Sequence, residues 1–273
     1  MFAERWIYDF IIYLYAFSIL FSFADLLHRN RRSEKLSYFF LGIVWLIQTA
    51  VFILVVFDWW PMQLPFWIDA FFIYSWILVS FTLVMHLVYR MPVYYFLANL
   101  MGFVVLVLNL FFVRHPSAAF EHLLLTELVF IHVTIAMMAY AAFSLACISG
   151  GLYLVSNHLL KEKKWNRLLR ILPSLDRLES FSIWSVVAGA VFLLISVLLG
   201  IIYGYQTVGN RLWLDPKLWG TFWVMILYGW IIWQWARTRL TGRRLAWWSS
   251  LSFLSILLNY FITQTGVSFH QWF

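Results

Sequence analysis

Charge is scarce in this chain. Only 11% of the 273 residues are charged, where soluble domains carry about a quarter. There are 12 acidic residues, and most lie between apolar stretches. No paired carboxylates, Ser-His-Asp set or HExxH spacing occurs, so an enzyme with its own hydrolytic or metal chemistry is not expected. Cysteine is nearly absent: Cys147 is the only one. No disulfide can form within the chain, and no CxxC pair is available for thiol exchange or covalent haem attachment. Cys147 sits in an apolar run and reads as a small core residue.

Apolar residues make up 64% of the sequence, more than a water-soluble globule can hide, so lipid must cover the excess. They fall into eight runs at about 6–27, 36–57, 67–88, 93–113, 127–157, 181–204, 219–236 and 245–266. Each is long enough to cross a bilayer. Each must be helical, because a lone strand would leave its backbone N–H and C=O groups unpaired in hydrocarbon. No small-residue cleavage site follows the first run, which reads as a helix and not as a removable signal. The expected fold is all-α: a polytopic membrane bundle of eight transmembrane helices, one transmembrane domain over 1–273.

The net charge of +7 suggests nucleic acid until the cations are placed. Fifteen of the nineteen Lys and Arg lie in the loops after the first, third, fifth and seventh runs: Arg29 to Lys35, Arg90, Lys161 to Arg177, and Arg237 to Arg244. Arg5, Arg114, Arg211 and Lys217 remain for the other side. The positive-inside rule explains this asymmetry as topology and places both termini outside a cytoplasmic-type cell membrane. Nucleic-acid binding is not expected. The segment 161–180, with leucines between arginines, is expected to lie along the inner surface. The tryptophan-bearing segment 206–218 is expected as a loop on the outer side.

A ring nitrogen at membrane depth needs a partner, so the seven histidines carry weight. His132, one turn into the fifth run, and His270, beyond the eighth, are expected at similar depth on the outer side. His115 and His122 lie in an outer loop, and His86 near the inner end of the third run. Two readings stand for the outer pair. Facing imidazoles can hold haem iron axially, with Trp213, Trp219, Trp223 and Trp272 as aromatic walls and Arg211 or Lys217 for the propionates. Alternatively, each histidine only bonds a neighbouring helix.

Four segments resemble one family, in order. Ile131-His132-Val133 through Tyr140-Ala141-Ala142 resembles the "HV…YA" helix of the cytochrome c assembly (CcsA/ResC-type) haem-handling membrane proteins. Leu172-Pro173-Ser174-Leu175-Asp176-Arg177-Leu178-Glu179 resembles their cytoplasmic LPSLDxLD segment. Trp213-Leu214-Asp215-Pro216-Lys217-Leu218-Trp219 resembles their tryptophan-rich WWD motif. Asn259-Tyr260-Phe261 to His270 resembles their last helix and terminal histidine. The sequence departs from the family at Leu214, where a tryptophan is usual, at Leu218, where a glutamate is, and at Trp235, where a histidine is. Trp219 also comes one position early. With the chain length and eight-run layout, these departures make it look most like the HemX-like branch.

The resemblance implies haem b bound non-covalently. His132 and His270 would be its axial ligands, with Trp213, Asp215, Lys217, Trp219, Trp223 and Arg211 around it, and with His86 and His122 ranked lower. It further implies a role in tetrapyrrole homeostasis, lowering the level of glutamyl-tRNA reductase, with the basic inner loops as the docking face for that soluble partner. The alternative it carries is a haem-transporting component of cytochrome c maturation.

Overall fold

The computed structural model describes residues 2–57, 70–89, 91–112, 127–163 and 171–263. Among them the regular structure is helical throughout: α1 (Phe2–His28), α2 (Arg31–Val56), α3 (Ala70–Val88), α4 (Pro92–Phe112), α5 (Glu127–Lys161), α6 (Leu175–Val208), α7 (Pro216–Ala236) and α8 (Gly242–Thr263), with a 3-10 turn at Gly209–Leu214. One helix answers each of the eight apolar runs. The helices outrun the apolar stretches, most visibly α5 and α6, because polar end residues continue the backbone ladder beyond the hydrocarbon region. Among the described residues, six helices, α1 to α6, are long and apolar enough to cross a membrane. Tryptophan, tyrosine and serine dilute the apolar content of α7 and α8. The chain is a multi-pass membrane protein.

The chain forms two compact units, Met1–His115 and Pro116–Phe273. In unit 1, α1 neighbours α2 and α4, while α3 neighbours the same two, which closes a four-helix ring. Tyr8, Ile11 and Tyr15 of α1 meet Leu41 and Val44 of α2, Phe72 and Val79 of α3 and Leu106 of α4 in its core. Hydroxyl and indole groups tie the helices where lipid offers no partner. The Trp45 indole donates to Ser80 Oγ at 2.8 Å and the Trp76 indole to Thr49 Oγ1 at 2.9 Å.

In unit 2, α6 lies along α5, and α8 touches α5, α6 and α7. The Phe143 ring stacks on Tyr228 at 3.8 Å, over Gly189, where a Cβ would come within 2.6 Å of the ring. The opposite face of α6 exposes Trp184, Val191, Leu194, Leu198 and Ile202, an apolar stripe suited to lipid. Two segments differ from their sequence expectation. Residues 175–180, expected along the inner surface, form the first turns of α6. The segment 206–218 is largely ordered as the end of α6, the 3-10 turn and the start of α7.

Candidate functional site

His132 stands in the early turns of α5 and faces the last third of α6. Ser196 and Gly200, one turn apart on α6, form its seat. His132 Nδ1 lies 2.7 Å from the Ser196 carbonyl oxygen and 3.1 Å from Ser196 Oγ. The Ser196 hydroxyl donates back to the His132 carbonyl at 3.2 Å. A carbonyl only accepts, so Nδ1 donates here. Gly200 lets the ring lie against the helix: a Cβ there would come within 2.7 Å of His132 Cε1. A carbonyl placed in this way orients a metal-ligating imidazole through its other ring nitrogen.

Beyond Gly200, the 3-10 turn folds back onto α6. Buried Leu212 presses on Gly204, where a Cβ would meet Leu212 Cδ1 at 2.7 Å. The turn delivers the chain to Asp215, which is fully buried and caps α7. Its Oδ1 accepts from the Lys217 backbone N–H at 2.9 Å, and Pro216 occupies the first helical position, where its missing N–H does no harm. Desolvation pushes the Lys217 ammonium down to about 8, against the opposing pull of Asp215.

The Trp219 indole donates to the Trp213 carbonyl at 2.9 Å and ties the turn to the helix. Trp213, Leu214, Trp219, Trp223 and Ile226 are exposed, so this end of unit 2 presents an aromatic ledge, with exposed Arg211 beside it. The last turns of α8 arrive at the same end. Asn259 Nδ2 donates to Thr221 Oγ1 at 3.2 Å, and the Asn259 side chain lies on Gly220. The chain therefore leaves α8 at Thr263 beside the first turn of α7, seven positions before His270.

The structure thus gathers His132, Arg211, Trp213, Asp215, Lys217, Trp219 and Trp223 at one end of unit 2. His270, with His115, His122 and Trp272, lies outside the described residues. His86 is elsewhere, in unit 1. Its ring stacks on Tyr38 at 3.5 Å and meets Tyr95 edge-on at 6.0 Å. The Tyr95 hydroxyl lies 2.9 Å from both the Met85 and Tyr89 carbonyls. Among the described residues, no three His, Cys, Asp or Glu side chains converge as a metal site. Sequence reasoning missed Ser196 and Gly200, and gave Asn259 no role beyond opening a family-like segment. A Ser and a Gly four apart on an apolar helix were the one available signal, and that pairing is common in membrane helices.

Comparison with known proteins agrees with the order of these segments. The sequence profile of the family described as cytochrome C assembly protein matches residues 64–270. The chain belongs to the cytochrome c assembly family. Within that family it is similar to Protein HemX of Brevibacillus brevis, at 40% identity over 270 residues covering 98% of each chain. It is also similar to Protein HemX of Bacillus subtilis (strain 168), at 35% over 265 residues, 96% of this chain and 95% of the other. The family match spans His132, the Trp213–Trp219 segment and His270.

Proposed function

We propose that this chain is a haem-binding membrane protein of tetrapyrrole homeostasis, a HemX-like regulator that lowers the level of glutamyl-tRNA reductase and has no covalent chemistry of its own. One observation supports the haem half: His132 is anchored through Nδ1 on the Ser196 carbonyl, the kind of hydrogen bond that orients an iron-ligating imidazole. Haem b, held non-covalently, would supply an iron centre, and His132 and His270 would be the residues that hold it. Trp213, Trp219 and Trp223 would flank the porphyrin, and Arg211 and Lys217 would meet its propionates. The donor set fits: an imidazole anchored through Nδ1, exposed indoles and two basic side chains at one end of one unit.

The topology in this reading is eight spans in the cell membrane, with both termini and the aromatic ledge outside. The basic ends of unit 2 then face the cytoplasm. Exposed Lys161, Lys163, Arg177, Arg239, Arg243 and Arg244 form a cationic surface there, and Arg237 lies 4.3 Å above the Trp233 ring. That surface is the docking face for the soluble reductase. Protein purified from its native membrane is expected to show a haem Soret band, and deletion of its gene is expected to raise glutamyl-tRNA reductase. A colourless protein rejects the haem half, and an unchanged reductase level rejects the regulatory half. The family match favours a second reading, haem handling in cytochrome c maturation. It predicts loss of holocytochrome c on deletion.

A further inference from the structure

Unit 1 carries a polar node that the haem reading leaves unused. Four uncharged polar side chains, one from each helix of the ring, converge in its core: Tyr15 of α1, Gln48 of α2, Ser75 of α3 and Asn99 of α4. Tyr15, Gln48 and Ser75 are fully buried and Asn99 nearly so. The Tyr15 hydroxyl donates to Asn99 Oδ1 at 3.4 Å, and Gln48 Nε2 donates to Ser75 Oγ, also at 3.4 Å. Ser75 is in addition a polar neighbour of Tyr15. Gly102 of α4 admits the Tyr15 hydroxyl: a Cβ there would stand 2.8 Å from it.

One atom of the node is unsatisfied. Gln48 Oε1 is buried without a hydrogen-bond partner. Exchanging the amide oxygen and nitrogen does not help, because Ser75 can then donate to the oxygen and the nitrogen is left over instead. Either way one amide atom is stranded where lipid supplies nothing. Apolar side chains would fill such a place without penalty, and hydroxyls alone would bond back to their own helices, as Thr82 does to the Leu78 carbonyl at 2.8 Å. Both bonds within the node are long, and its groups provide the two to four polar partners that a buried water requires.

We propose that unit 1 holds an occluded water molecule where α1 to α4 converge, hydrogen-bonded to the Gln48 amide and bridging it to Tyr15, Ser75 and Asn99. The proposal is independent of haem. Radiolytic hydroxyl-radical footprinting of the full chain in lipid nanodiscs tests it, because X-rays activate bound water in place and modify the side chains beside it. Tyr15 is expected to be modified well above Tyr8 and Tyr94, which are equally buried but lie outside the node. Gln48→Met, similar in volume and lacking the amide, is expected to abolish the Tyr15 modification. Tyr15 protected as fully as Tyr8 and Tyr94 overturns the water site. Unchanged Tyr15 modification in a folded Gln48→Met variant overturns its assignment to Gln48. If that variant does not fold, the native comparison of the three tyrosines decides alone.

Discussion

A single glycine decides whether His132 can sit as it does. With 2.7 Å between the place of a Gly200 Cβ and His132 Cε1, Gly200→Val must push the imidazole off the Ser196 carbonyl. The expected result is loss of the Soret band with the protein still folded and extractable, and retention of haem in that variant contradicts the seat. Asp215 acts at the next turn. Asp215→Ala removes the cap of α7 and is expected to lower stability by about 1 kcal/mol, while Asp215→Asn keeps most of it, as read by thermal unfolding in mild detergent. Lys217 binds its proton less tightly in the folded chain than in the unfolded one. Its contribution therefore makes the fold more stable as pH rises from about 8 toward the ordinary lysine range. Carbon-13 NMR of reductively methylated protein is expected to show one lysine titrating near 8 in the absence of haem, and a midpoint for Lys217 in the ordinary range contradicts its desolvation.

Helices α5 and α8 approach closely at Gly150, where a Cβ would lie 2.5 Å from Ser250 Oγ and 2.6 Å from the Ala246 carbonyl. The neighbouring Gly151 has open space. Gly150→Ala is expected to destabilise unit 2 by about 1–3 kcal/mol, and Gly151→Ala to be neutral or slightly stabilising, since alanine is the better helix former. Denaturant titration of both variants in detergent checks the opposite signs, and equal effects contradict the contact. The pair also marks the limit of what was legible. Apolar runs announced all eight helices, because hydrocarbon thickness and backbone satisfaction leave few alternatives. Which glycine faces a partner depends on helix rotation, and uniformly apolar helices give no periodic signal of it. The same limit hid Ser196 and Gly200, although His132, the residue they seat, stands out in the sequence as a histidine at membrane depth. The Trp213–Asp215–Trp219 segment was legible as a unit, because Asp-Pro is a helix-start signal. Its ordering as a 3-10 turn rests on Leu212 against Gly204 and had no sequence signal.

For the whole molecule, charge placement and helix order make one statement: the ends of unit 2 are chemically unlike. Exposed arginines collect where α7 passes to α8, whereas among the described residues Arg211 is the one exposed cation where α6 passes to α7. In a Cys147→Ala background, a membrane-impermeant maleimide added to whole cells is expected to label Arg211→Cys and to spare Arg239→Cys. The reverse pattern contradicts the orientation. The two-unit division adds what composition could not show, that α1 to α4 close a ring of their own around a polar centre.

The central claim is that iron is held between His132 and His270, and electron paramagnetic resonance of the ferric protein tests it most directly. The native chain is expected to give the low-spin signal of two axial imidazoles, and His132→Ala and His270→Ala each to abolish that signal or lose the haem. A low-spin signal that survives both substitutions contradicts the account.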